Sequence, residues 1–421
     1  MKNLFKILFL FISLLSFAQN QNKVTGETFI KLLLQEKNYE KAYSYFDESV
    51  KSKISEEFLK TTEQQLENQL GKFNNIIEIN NENSTYFYYA DFEKMKLDIK
   101  INLNEADKIL GFFFVPHQEF NKKNLLGSDL NIQIDNIVLK GTILIPENNN
   151  LKKLVIFVHG SGPQDRDETI FENKPFKDIS ESLYQKGIAS YRFDKKTLTN
   201  PESYNYKSTI DDEVTNDIVN IISYFKENEE FKGYEIILLG HSLGANLMPR
   251  IAGKSAQISK LILLAGNARS LEKLIAEQYE YLYKQNPSPE LLEASKKMKE
   301  QIAVLTSKSF NVNTPKEQLP FNLSGYYWKS VLDYDALKEV KNVKIPMLIL
   351  QGERDYQVTM EDFELWKSTL KNNKKASFIS YPKLNHLFMS GENASEPKEY
   401  MIKGNVDEKV IVDIFNFIEK N

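Results

Sequence analysis

The chain predicts an α/β protein: a doubly wound, mostly parallel sheet with a helical cap, preceded by a small α+β domain. Three observations carry that prediction. From residue 129 onward, short apolar runs alternate with helix-period stretches, the pattern of strands buried on both faces. Before residue 117, helices come first and strands follow in a block, as in helix-backed antiparallel sheets. The length, 421 residues at about 150 per domain, leaves room for two or three domains.

Composition removes several functions. Lys+Arg 54 against Asp+Glu 58 leaves a net charge of −4, without the basic footprint that nucleic-acid binding needs. With no cysteine, disulfides, thiolate catalysis and cysteine metal sites are excluded. Only four histidines are present, His117, His159, His241 and His386, so any imidazole chemistry has few possible carriers.

Residues 1–18 have the three-part layout of a secretory signal peptide. Lys2 and Lys6 give a positive start, Ile7 to Phe17 is almost wholly apolar, and Ser16 and Ala18 stand at −3 and −1 of a cut before Gln19. The apolar run is shorter than the ~20 residues a spanning helix needs. Lipid attachment to a cysteine is excluded. A mature protein starting near Gln19 is expected, secreted or periplasmic and free of the membrane.

Residues 23–117 read as the small α+β domain. Thr28–Leu34 and Tyr39–Phe46 have helical spacing with Asn38 between them, and Glu56–Leu70 is a helix that Gly71 stops. Phe73–Ile79, Ser84–Phe92, Met95–Ile101 and Ile109–Val115 read as strands, with a turn at Asn80–Asn83. His117 is expected to be structural or at the surface. His117–Leu125 reads as a linker.

The second domain, 129–421, opens with a hairpin of Leu130–Ile134 and Ile137–Ile145 around Asp135-Asn136. Strands follow at Leu154–Val158, Ala189–Phe193, Glu235–Leu239, Leu261–Ala265, Met347–Leu350 and Ser377–Tyr381. Helices are predicted at Phe176–Lys186, Thr209–Glu227, Ala245–Ala252 and Val406–Glu419. Asp211-Asp212-Glu213 reads as acidic capping of the second helix. Residues from about 267 to 340 are charged and helical, an insertion expected to cap the carboxyl edge of the sheet. Its aromatics, Tyr279, Tyr281, Tyr283, Phe310, Phe321, Tyr326, Tyr327 and Trp328, are candidates for lining an acyl pocket, with packing of the cap's own core as the alternative.

Chemistry concentrates at Gly240-His241-Ser242-Leu243-Gly244, which follows the strand EIILL and opens a helix. A strand-to-helix elbow there exposes the Ser242 hydroxyl, and glycines are needed where a Cβ would collide with neighbouring backbone. A serine hydroxyl needs a base. His241 adjoins the nucleophile and should point away into the sheet; His159 lies in a glycine loop; His117 is in the other domain. His386, after the last strand, remains. Its orienting carboxylate is sought in Gln351-Gly352-Glu353-Arg354-Asp355, where Asp355 is preferred over Glu353. The order Ser242, Asp355, His386 is that of a known triad scaffold. The Leu243 N–H is one oxyanion donor, and Ser161 in His159-Gly160-Ser161-Gly162 supplies the second, with His159 bracing the loop. Asp165-Arg166-Asp167-Glu168 lacks a metal-ligand pattern and reads as a salt-linked loop.

Together these segments resemble an α/β-hydrolase. HGSGPQDRDE at His159–Glu168, YRFDK at Tyr191–Lys195, GHSLG at Gly240–Gly244 and QGERDYQV at Gln351–Val358 are similar to bacterial secreted carboxylesterases related to the S33-type serine-aminopeptidase-like hydrolases. The N-terminal region resembles the NTF2-like, DUF3887-type domain found in front of such esterases. Lys195-Lys196-Thr197-Leu198 departs from the basic-Gly pair of relatives. The resemblance implies a serine carboxylesterase acting on small-molecule esters through an acyl-enzyme, with no metal or organic cofactor. A peptidase or amidase on the same triad is the alternative, using cap acids such as Glu277, Glu280, Glu290 and Glu293 for a substrate ammonium. A non-catalytic binding protein is the third reading.

Overall fold

Two sheets of different character organise the chain in a computed structural model, an antiparallel one of four strands and a mostly parallel one of eight. Residues 24–51, 53–82, 84–104, 106–115, 117 and 126–420 are described. The expected signal segment 1–18 and residues 118–125 of the expected linker lie outside them. Two compact units divide the chain between Leu125 and Leu126.

In the first unit, β1 (Phe73–Glu82), β2 (Thr85–Phe92), β3 (Lys96–Leu103) and β4 (Ile109–Val115) form the antiparallel sheet in sequence order. The Asn80–Asn83 turn is a correction: β1 continues to Glu82, paired with Thr85. Helix Glu56–Leu70 is bounded as its residues dictate. The Ser55 hydroxyl accepts the Phe58 N–H, and Gly71 takes φ +78°, which a Cβ would resist. Phe29, Phe46 and Phe112 meet with ring centres 5.2–5.9 Å apart in this unit's core. His117 places Nδ1 2.9 Å from Asp98 and stacks on Tyr89.

The strands of the second unit are β5 (Ser128–Asp129), β6 (Ile132–Ile134), β7 (Ile137–Leu139), β8 (Gly141–Leu144), β9 (Lys153–Val158), β10 (Ala189–Phe193), β11 (Glu235–His241), β12 (Ile258–Leu264), β13 (Met347–Gly352) and β14 (Ala376–Tyr381). The large sheet runs β14-β13-β12-β11-β9-β10-β8-β5. Strands β9 to β14 are mutually parallel; β8 runs antiparallel to β10 and β5. Alternation explains the continuous apolar runs. Leu154, Ile156 and Val158 enter one core with Ile236, Leu238, Leu261 and Leu263. Val155 and Phe157 enter the opposite core with Ile237, Leu239, Ile262 and Leu264. Each such side chain contributes about 1.5–3 kcal/mol on burial. Helices Asn216–Glu227, Met248–Lys254 and Met360–Thr369 cover the first face, and Pro175–Gln185 with Glu408–Glu419 cover the second.

Three segments differ from the sequence reading. The expected strand Ile137–Ile145 breaks at Lys140. Its first part, β7, pairs with β6 as a separate ribbon, and β8 joins the main sheet. Gly141 permits the switch, since a Cβ there would stand 2.4 Å from the Tyr191 hydroxyl. The helix expected at Ala245–Ala252 is two helices, Leu243–Asn246 and Met248–Lys254, because Pro249 has no N–H for the turn before it. The helix expected at Thr209–Glu227 begins as a wider π-turn, Asp211–Thr215, before Asn216–Glu227; the acids at 211–213 stand in its first turn as expected, each with its own partner. Asp212 alone accepts the Thr209 N–H and hydroxyl, Asp211 pairs with Arg250 and Lys254, and Glu213 is buried.

Candidate active site

Ser242 occupies the elbow between β11 and the helix Leu243–Asn246, with φ 53° and ψ −119°. Such a conformation costs about 1–3 kcal/mol and persists only where its surroundings impose it. Here the Ser242 N–H donates to Leu264 O at 2.9 Å, and its carbonyl accepts the Asn246 N–H at 2.9 Å. The flanking glycines are sterically required. A Cβ on Gly244 would stand 2.2 Å from the Val158 carbonyl oxygen, and one on Gly240 2.7 Å from the Gly244 carbonyl carbon.

His386 and Asp355 meet beside this elbow. His386 Nδ1 lies 2.6 Å from Asp355 Oδ2, and both residues are buried. Asp355 Oδ1 accepts the Gln357 and Val358 N–H groups at 2.8 and 3.0 Å, which fixes the carboxylate. Gly352 lets the loop carrying His386 press onto the end of β13, since a Cβ there would be 2.5 Å from Leu384 O. Glu353 points elsewhere: it is exposed and accepts the Ser380 hydroxyl at 2.8 Å. His386 and Ser242 line the same cleft.

Across that cleft lies the loop after β9. Glu168 Oε1 takes the Gly160 N–H at 2.6 Å, and Glu213 Oε1 takes the Gly162 N–H at 2.9 Å. The N–H between them, on Ser161, and that of Leu243 have no protein acceptor among the described residues. Lys195 Nζ bonds both Gly160 O and Glu213 Oε1, each at 2.8 Å. Burial alone would raise the Glu213 carboxyl; the Lys195 ammonium outweighs it and holds it below the ordinary glutamate range. The other Glu213 oxygen accepts the Tyr327 hydroxyl at 2.6 Å. This Lys195–Glu213 clamp escaped the sequence reading, although a lysine closing the apolar strand YRF was its visible trace.

His159 braces the loop through Nε2 against Asp165 O at 3.0 Å. Burial pushes its pKa down to about 4. It is therefore neutral near pH 7. The Asp165–Glu168 stretch is salt-linked: Arg166 grips Asp194, Arg192 pairs with Asp167, and Asp165 accepts from Thr169. Among the described residues, no group of three or more acidic or histidine side chains is arranged to hold a metal.

His241 corrects another expectation. It does not point away into sheet packing. Its ring centre is 4.5 Å from that of His386, its Nε2 is 2.9 Å from His386 O, and its Nδ1 is 3.0 Å from Glu168 Oε2. The tight elbow turns the residue before Ser242 toward the loops rather than between the layers.

Leu271, Leu274 and Gln278, all on the helix Leu271–Gln285, roof the cleft. None of the candidate aromatics lines it. Tyr279, Tyr327 and Trp328 are buried in the core, with Phe310 and Phe321 packed against it. Tyr281 stacks on Tyr356 and Tyr283 joins the same cluster; Tyr326 meets Tyr206. The aromatics hold the insertion down, and the smaller face of its first helix meets the site. Gln278 Nε2 also donates to Gln357 O at 2.9 Å, beside Asp355. The cap acids are elsewhere too: Glu277 pairs with Arg269, Glu280 with Lys284, and Glu290 and Glu293 are exposed.

The sheet order and the elbow define an α/β-hydrolase. Residues 149–393 match the family model described as serine aminopeptidase, S33, and residues 27–112 match a family described as a protein of unknown function, DUF3887. The chain is 31% identical over 398 residues to esterase EstD of Thermotoga maritima, covering 92% of this chain and 93% of the relative. The chain belongs to the S33 serine-aminopeptidase-like family of α/β-hydrolases, with a DUF3887 domain ahead of it. Among solved structures it is similar to the Pyrococcus furiosus esterase Pf2001, at 17% identity, TM-score 0.47, and coverage of 70% of this chain and 90% of that one. It is also similar to Est1E of Butyrivibrio proteoclasticus, at 21% identity, TM-score 0.45, covering 70% and 100%.

Proposed function

We propose that the chain is a serine carboxylesterase that cleaves small-molecule esters through an acyl-enzyme. The observation that carries this reading is the Asp355–His386 bond opening onto the cleft that Ser242 lines. Asp355 holds Nδ1 of His386 protonated, leaving Nε2 to take the proton from Ser242 as Oγ attacks the ester carbonyl. The free N–H groups of Ser161 and Leu243 receive the developing oxyanion. His386 then protonates the leaving alcohol, and water, activated by the same imidazole, releases the acid. The relative's name, an esterase, supports the substrate class. An aminopeptidase would need a carboxylate at the cleft free to meet a substrate ammonium; Glu168, which lines it, gives one oxygen to the Gly160 N–H and sets the other 3.0 Å from His241 Nδ1. Export is part of the proposal, with residues 1–18 as the leader; a processed protein beginning at Gln19 is the expected product.

The test is a fluorophosphonate probe with a p-nitrophenyl acetate assay. Ser242→Ala is expected to lose labelling and to lower kcat by about 10⁴-fold or more. Full hydrolysis in that variant overturns the reading.

A further inference from the structure

The His241 side chain has an oxygen acceptor at each ring nitrogen: the Glu168 carboxylate 3.0 Å from Nδ1 and the His386 carbonyl 2.9 Å from Nε2. The Nε2 contact is a hydrogen bond; the Nδ1 contact is a close approach without hydrogen-bond alignment, and it leaves Nδ1 and Glu168 Oε2 both buried with no hydrogen-bond partner. A positive charge on this ring is what would compensate that buried carboxylate oxygen, 3.0 Å away. The same Glu168 holds the Gly160 N–H through its other oxygen. One buried pair therefore joins the oxyanion loop to the loop bearing the base, through the residue next to Ser242.

We propose that His241 is a standing imidazolium whose ion pair with Glu168 positions the oxyanion loop and His386 relative to each other, so that turnover requires its proton. The inference rests on the esterase reading of the site. His241 exchanges no proton with substrate and is a positioning residue. The charged and titratable groups facing it are Glu168 on the loop after β9, with His159 and Lys195 beyond it, and His386 and Asp355 from the loops after β14 and β13. The roofing residues Leu271, Leu274 and Gln278 bring no charge. Burial works against a charged His241, and the Glu168 carboxylate outweighs it, holding the group above the ordinary histidine value.

Below its raised pKa, His241 keeps its charge beside Glu168 as well as the His386 bond; as pH rises through that value it gives up a proton, and the ion pair that ties the oxyanion loop is lost. The kcat profile of the full-length enzyme is therefore expected to fall at alkaline pH. Glu168→Gln should move the alkaline limb to lower pH, since the anion that sustains the charge is gone. His241→Gln, which keeps an N–H for the His386 carbonyl and cannot titrate, should abolish that limb. Its kcat should fall by about 10- to 100-fold, as sub-ångström misplacement does, with KM little changed.

The second measurement does not depend on activity. With four histidines in the chain, ¹⁵N-histidine spectra at pH 7 should show one imidazole protonated on both nitrogens, and that signal should vanish in His241→Gln. A neutral His241 at pH 7, or an alkaline limb identical in all three proteins, overturns the proposal. A doubly protonated His241 in a protein without Ser242-dependent hydrolysis would instead overturn the esterase reading and leave the ion pair standing.

Discussion

The Lys195 ammonium donates to the Gly160 carbonyl oxygen at 2.8 Å, so a buried charge holds the backbone on which the proposed oxyanion donor sits. Lys195→Met removes that bond and leaves Glu213 buried without its cation. Breaking one partner of a buried pair costs about 3–5 kcal/mol. The expected result is a lower Tm together with a kcat loss larger than any change in KM, read by calorimetry and p-nitrophenyl acetate kinetics.

Asp355 and Glu353 separate cleanly. Asp355→Asn presents an amide to His386 Nδ1 and favours the wrong tautomer, with a kcat loss of about 10⁴-fold. Glu353→Gln changes an exposed side chain and should leave kcat within about twofold. Equal losses in the two would reassign the acid.

The elbow glycines can be tested against a third glycine. Gly244→Ala drives a methyl to 2.2 Å from Val158 O and is expected to abolish soluble folded protein. Gly253 sits in the helix Met248–Lys254 with nothing within 4 Å of where a methyl would stand, so Gly253→Ala should stabilise by about 0.5–1 kcal/mol. Urea titration of both variants reads the contrast.

Leu274 is buried where the roof meets the cleft. Leu274→Ala should raise the kcat/KM ratio of p-nitrophenyl octanoate over acetate, at a stability cost of about 2–5 kcal/mol. An unchanged ratio would mean that the acyl chain lies away from this helix.

His159 gives a pH signature in stability. Its folded pKa, about 4, lies below the unfolded value of 6.5. The folded state thus binds fewer protons, and its contribution is complete above pH 6.5 and is lost as pH falls toward 4, about 3 kcal/mol in all. Unfolding free energies at pH 7 and 4.5 should differ less in His159→Asn than in the parent.

Much of this was legible in the amino-acid order because it rests on local rules. Ser55 and Gly71 mark a helix, the apolar runs at 154–158 and 347–350 mark doubly buried strands, and Gly240 and Gly244 mark an elbow through what a Cβ would strike. What escaped depends on pairs distant in the chain. Lys195 and Glu213 look like surface charges until β10 and the turn at Asp211–Thr215 bring them to one loop. His241 looked like a packing residue because its partners, Glu168 and His386, lie 73 and 145 positions away. The cap aromatics stayed ambiguous for the same reason: an aromatic in an insertion reads alike whether it faces substrate or anchors the insertion.

The roof helix is fastened through Gln278 to the carbonyl of Gln357, and the amide of that same residue steadies Asp355. Gln357 is thus shared by the wall of the cleft and by the carboxylate bonded to His386. One glutamine, standing between lid and acid, makes the covering helix and the charged pair beneath it parts of a single bonded unit.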